Sequence, residues 1–239
     1  MGFLDFFNRD DEDSIFSKLI TSIQENNTEK FKKLIDKGNF LYKTDKNGYT
    51  LLHFAAETGN FKIVDILVMD YNVNIDPVAN NSYTPLSIAT EDGYLEIVKF
   101  LLENGARTEN YKDDLNWNFL HLAAGSENPE MIKFFLEKGI DINTPDAEGD
   151  TPLILAASAG NLDVVKCLVE NGADINHLNK LNQNALHNAV FMGCSDITRY
   201  LIESGIDKNI KTNQGKTALD LAIEEDWNDI VAYLESLEK

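Results

Sequence analysis

The sequence predicts an all-α solenoid of stacked helix-turn-helix units joined by extended arms. Three observations predict it. A unit of about 33 residues recurs along the chain. Each copy holds two short stretches with apolar residues at helical spacing. Helix-capping residues and glycines punctuate those stretches at fixed offsets.

The clearest copy is Thr151–Asn176, TPLILAASAGNLDVVKCLVENGADIN. Thr151 is a suitable N-cap, because its hydroxyl can accept from an unpaired amide of the first turn. Pro152 suits the first helical position. Leu153, Ala156 and Ala157 give a short helix with a small, apolar face. Gly160 permits a tight reversal through positive φ. Val164, Val165, Leu168 and Val169 define a second helix, and Gly172 ends it.

The unit begins at Thr50, Thr84, Asn118, Thr151, Asn184 and Thr217, in steps of 34, 34, 33, 33 and 33 residues. Counting back 33 from Thr50 reaches Ser17, where Ser17–Gly38 reads as a weaker copy. All seven starting residues are helix-capping types, and each is followed two places on by leucine: Leu19, Leu52, Leu86, Leu120, Leu153, Leu186 and Leu219. The matching segments are TLLHFAA (50–56), TPLSIAT (84–90), NFLHLAA (118–124), TPLILAA (151–157), NALHNAV (184–190) and TALDLAI (217–223). They resemble the ankyrin repeat, whose mark is T-P-L-H-x-A at a period of about 33. This resemblance implies that the projecting arms are β-hairpin-like. The resemblance covers residues 14–239, in approximate units 14–44, 45–78, 79–112, 113–145, 146–178, 179–211 and 212–239. That is an entry cap plus six repeats.

In chain order, residues 1–13 form a short apolar then acidic segment without the features of a secretory signal. It reads as a flap over the first repeat's apolar edge, with a docking peptide as the alternative. Ser14–Gly38 is the entry cap, with Ile15, Leu19, Ile20 and Ile23 inward and a charged outer face. The arms carry turns at Asp45–Gly48, Asp146–Gly149 and Thr212–Gly215, while Asn116 and Asn182 replace the glycine in two others. Ser82 replaces it in the remaining arm, so Ala79–Tyr83 is expected to be looser. In the first 34-residue step the helix ends in Tyr71-Asn72 rather than a glycine, and Asn72 is expected in the left-handed region. The second places it between Gly105 and Asn118. Glu127 stands where an inter-helix glycine belongs, and Pro129 suits the following helix start. Thr217–Lys239 turns polar outward and reads as a closing cap.

The formal charge of −19 disfavours phosphate backbones and anionic membranes and favours a basic partner. No apolar run approaches the ~20 residues that span a bilayer. A cytoplasmic location is predicted, with signal-independent secretion left open. Cys167 reads as a small core residue and Cys194 as partly exposed, with no disulfide framework.

His53, His121 and His187 occupy one place in alternate repeats. Helices stacked ~8–10 Å apart put such side chains ~20 Å from each other, too far for one metal. They are expected to hydrogen-bond within or between repeats. No phosphate-binding loop, nucleophile elbow or calcium loop is present, and the carboxylates form no catalytic pair. No enzymatic activity, cofactor or metal is therefore expected.

The resemblance implies that partners meet the arm tips and the exposed ends of the first helices. Those offsets give Tyr49, Tyr83 and Trp117 on three consecutive arms, read as exposed anchors. Leu115, Leu181, Phe191 and Met192 extend the apolar surface. Glu57, Glu91, Asp92, Asp114, Glu148 and Asp150 rim it. The surface suits a protein or peptide with basic and apolar residues, bound by a monomeric adaptor, scaffold or inhibitor. The alternative is an accessory domain that docks a small molecule or stabilises an enzyme, which a dominant buried pocket would favour.

Overall fold

The computed structural model describes the backbone of residues 4–111 and 114–237, with side chains from Glu12 onward except that of Asn110. The described residues form helices and connecting turns, with no strand among them. They group into two compact units, residues 1–113 and 114–239.

The first unit holds α1 (Leu4–Gln24), α2 (Thr28–Ile35), α3 (Leu51–Glu57), α4 (Phe61–Asp65), α5 (Pro85–Glu91) and α6 (Leu95–Glu103). There α3 packs between α1 and α5, and α4 packs on α6. The second unit holds α7 (Phe119–Gly125), α8 (Pro129–Glu137), α9 (Pro152–Ala159), α10 (Leu162–Glu170), α11 (Ala185–Phe191), α12 (Ser195–Glu203), α13 (Ala218–Glu224) and α14 (Asn228–Ser236). Its odd-numbered helices pack in one succession and its even-numbered helices in another. Leu52, Leu86, Leu120, Leu153 and Leu186 are buried. Beside them, buried alanines such as Ala55, Ala89, Ala123, Ala156 and Ala189 let neighbouring helices approach closely. In the entry cap the inward residues are Phe16, Leu19 and Ile23, while Ile15 and Ile20 stay half-buried.

Six of the seven expected helix starts are N-caps. Ser17 is the exception. It lies inside α1, which runs unbroken through position 13 and makes the expected boundary there an interior point of a helix. No glycine or proline interrupts residues 3–37, so nothing stops the helix before Gln24. The expected flap spans residues 1–13, of which 1–3 and the side chains of 4–11 lie outside the described residues.

The caps depend on a partner at the third helical position. Ser87 Oγ accepts from Thr84 N at 2.9 Å, and Asp220 Oδ2 accepts from Thr217 N at 2.8 Å. His53, His121 and His187 do the same through Nδ1, at 3.0, 3.0 and 3.3 Å. In the repeat beginning at Thr151 that position is Ile154. The expected cap bond is not made, and the buried Thr151 Oγ1 has no hydrogen-bond partner.

The described arms close by two backbone bonds across each turn, such as Asp45 N to Tyr49 O at 3.0 Å with Gly48 N to Asp45 O at 3.1 Å, and Asp146 N to Asp150 O at 2.9 Å with Gly149 N to Asp146 O at 3.1 Å. A side chain reinforces most of them. Oδ1 of Asp45 accepts from Asn47 N and Tyr49 N, and Asp146 Oδ1 and Asn179 Oδ1 repeat the pattern. Ala79 keeps the backbone bond to Tyr83 O but has no side chain to add the others. This arm is therefore the least braced of the described ones. Ser82 there, and Asn116 and Asn182 elsewhere, take positive φ as expected.

The inserted residue near Asn72 is accommodated by widening the helix. Ile66–Asp70 forms a π-helical turn that continues α4, and Asn72 follows at φ 47°. The second insertion coincides with a short 3₁₀ turn at Thr108–Asn110. Two inter-helix glycines also provide clearance. A Cβ on Gly59 would lie 2.5 Å from the Tyr94 ring, and one on Gly193 would lie 2.7 Å from the Trp227 ring.

Candidate protein-interaction surfaces

The three arm aromatics are half-buried rather than exposed. Tyr49 lies against His53 and Phe54, with ring centroids 5.0 and 5.7 Å apart, and its hydroxyl accepts from Asn81 Nδ2 at 3.3 Å. Tyr83 meets Tyr111 edge-on at 5.7 Å. In the second unit Trp117 stacks over His121, and its Nε1 donates to Asp146 Oδ2 at 2.9 Å. That bond fastens one arm to the turn of the next. The expectation of a free anchor at Trp117 is thereby corrected: the indole's polar end is used by the scaffold.

The histidines carry a second link between arms. Nδ1 accepts a backbone N–H in each, so the ring is neutral with its proton on Nε2. Nε2 then donates to Tyr83 O from His53 (3.2 Å), to Asp150 O from His121 (3.2 Å) and to Ile210 O from His187 (3.1 Å). Burial pushes the His53 pKa down to about 4 and lowers that of His187. No cluster of His, Cys, Asp or Glu among the described residues could hold a metal ion. No helix among them is long and apolar enough to cross a membrane.

Large apolar residues reach solvent in both units, Met69 and Val78 in the first and a further group in the second. Leu181, Phe191 and Met192 are 57%, 56% and 53% exposed, and Leu115 is 41% exposed. Leu181 sits in an arm turn, Phe191 ends α11 and Met192 caps it. Asp114 and Glu148 are exposed in the same unit. Asp150 is only half-buried and already engaged, since its Oδ1 accepts from Asn179 Nδ2 at 2.7 Å. Burial, with Asp146 and Glu148 nearby, still holds its carboxyl above the usual carboxylate range.

The first unit presents a different surface. A cleft of about 450 Å³ is lined by Asp45, Asn47, Tyr49, Phe54, Glu57, Asn80 and Asn81. Most of these side chains are partly or fully exposed, so this is a surface cleft rather than an enclosed pocket. Glu57, Glu91 and Asp92 are exposed. Burial, reinforced by Glu91 and Glu57, pushes the Asp92 carboxyl up to about 6.

A helix-pair unit repeated through both parts of the chain, capped at a fixed residue and cross-linked by arm turns, matches the family models for ankyrin repeats. One (three copies) matches residues 19–113 and 107–179, and another (many copies) matches residues 168–222. The chain belongs to the ankyrin-repeat family. Ankyrin repeats generally mediate protein–protein interaction. A search of curated proteins found no match.

Sequence reasoning passed over Tyr42, which is 73% exposed. Eight residues before each start, Asp76, Asn143 and Asn176 accept from Arg107 N, Asp174 N and Asp207 N of the following ankyrin repeat. Tyr42 occupies that place in the entry cap and cannot supply the carboxylate or amide oxygen. An aromatic at an Asx position was the available signal. Tyr42 borders an apolar cleft of about 290 Å³ with Leu41, Leu67, Val73, Pro77 and Val78. Phe54 and Asn80 of the larger cleft were likewise not singled out.

Proposed function

We propose that this ankyrin-repeat protein is a non-catalytic adaptor, scaffold or inhibitor that binds a partner segment carrying both apolar and basic residues. The observation that carries this reading is the exposure of Leu181, Phe191 and Met192. Large apolar side chains exposed close together are costly in water, and such residues act as anchors at interfaces. The net charge of −19, together with the exposed acids Glu57, Glu91, Asp92 and Asp114, supports a basic contribution from the partner. The monomeric protein is the binding form in this reading.

Selection of a random peptide library on the full chain tests it. Enriched peptides should combine apolar and basic residues. Phe191→Ser combined with Leu181→Ser should weaken them at least about 10-fold without changing the fold, as the loss of interface anchors does. Peptides that bind this variant as tightly as the native chain would overturn the assignment of the surface.

A further inference from the structure

We infer that the cleft formed by the first two arms of the first unit receives an arginine side chain of the partner; this rests on the protein-binding reading above. The cleft has an aromatic wall, two carboxylates and no lysine or arginine in its lining. Tyr49 and Phe54 form the wall, their rings tilted 50° to one another. Asn81 Nδ2 holds the Tyr49 hydroxyl, which fixes the ring at the mouth. Asp45 is held in orientation by the two backbone amides that Oδ1 accepts. Glu57 stands exposed beside it.

A guanidinium suits this lining better than an ammonium. It is planar and weakly hydrated, stacks on aromatic faces and spreads five donors over separated acceptors. Asp45, Glu57 and the side-chain oxygen of Asn81 are acceptors of that kind. An ammonium would give up a tighter hydration shell for fewer directed bonds. Glu91 and Asp92 add to the negative field near Glu57; burial first, and then the neighbouring Glu91 and Glu57, raise the Asp92 pKa. The cavity of about 450 Å³ accommodates the side chain together with its aliphatic stem.

The test is an NMR titration of the full ¹⁵N-labelled chain with acetyl-Gly-Arg-Gly-amide, alongside the lysine and citrulline peptides. The arginine peptide should shift the amides of Asn47 and Gly48 and the side-chain amide of Asn81. Lysine should bind several-fold more weakly, and neutral citrulline should leave these signals in place. Glu57→Gln, an exposed and conservative change, should weaken the arginine peptide by about 5-fold, as expected for a carboxylate partner in a charge-assisted bond. Equal shifts from all three peptides, or none from arginine, would overturn the inference. The two readings fail separately. Library-selected peptides that tolerate arginine-to-citrulline replacement would reject the arginine site and leave the binding surface standing. Arginine-specific shifts in a chain that enriches no peptides would do the reverse.

Discussion

The repeats beginning at Asn118 and Asn184 share nearly the same framework. Each has an Asx cap, a histidine that accepts the cap amide and donates to a later carbonyl, and a buried leucine two places after the cap. Their outward residues differ. The first has Trp117 before its cap and Gly125–Ser126 at the end of its helix. The second has Gln183 there, with Phe191 and Met192 in the later place. Trp117 is drawn into the scaffold by Asp146, whereas Phe191 and Met192 stay in solvent. At the place before the cap, Trp117 and Gln183 are both half-buried, so that offset fixes exposure whatever the residue. A polar handle within reach of the next arm decides what the side chain bonds to.

Several measurements would sharpen or break this comparison. The largest effect is expected where the two repeats are alike. Leu120→Ala and Leu186→Ala should each cost ~2–5 kcal/mol, as for other buried leucines. Denaturant unfolding giving one a trivial cost would show that the frameworks are not equivalent.

The buried histidines make stability fall on acidification. A protonated Nδ1 would face the N–H from which it now accepts, and burial adds its own penalty for charge. The folded pKa of His53, about 4 against 6.5, means that the unfolded chain binds the proton first. Its stabilisation is complete above about pH 6.5 and is lost as pH falls towards 4, ~3 kcal/mol in all by linkage. His187, lowered in the same direction, adds to the slope. Asp92 acts with opposite sign. Its carboxyl is pushed up to about 6, so its contribution is present at low pH and lost as pH rises through that value. Comparison with His53→Gln isolates the histidine's share: a variant whose unfolding free energy changes between pH 6.5 and 4 just as the native chain's does would contradict the histidine assignment.

Trp117→Ala should cost ~1–3 kcal/mol, because it removes a half-buried ring and strips Asp146 Oδ2 of a donor. Gln183→Ala should fall within ~0.5 kcal/mol, as for other surface changes. Equal thermal midpoints for the two variants would restore the view of Trp117 as a free anchor. The smallest effect has the clearest sign. Thr151→Val removes a buried hydroxyl without a partner and should stabilise by ~1 kcal/mol. Thr84→Val removes a working cap and should destabilise by a similar ~1 kcal/mol. Effects of the same sign would mean that the Thr151 hydroxyl has a role after all.

Much of the helical framework was legible in the sequence because it rests on local chemistry. The caps at Thr50 through Thr217, the leucines two places on and the positive-φ asparagines each follow from residue type at a fixed offset. The uncapped Thr151 was also readable, since Ile154 stands where other repeats carry His, Ser or Asp. So was the unbroken α1. Trp117 was less so, because its bond to Asp146 joins residues 29 apart whose meeting depends on how two arms stack. The cleft of the first unit was hidden for the same reason. Its lining comes from two arms and a helix, and no single stretch of sequence records it.

The π-helical turn at Ile66–Asp70 separates two quantities that a repeat usually keeps together, its period along the chain and its pitch in space. One additional residue enters the first full repeat, yet the helix takes it up as a wider coil, with Tyr71 N bonding back to Ile66 O at 3.2 Å. By Ala79 the arm turn has resumed, and Asn80 N meets Asn47 O as its counterparts meet theirs further along the chain. A length change is thus discharged within one turn of helix and not passed on to the next unit. Genetic drift by single codons at such a place can leave the stacking of its neighbours undisturbed.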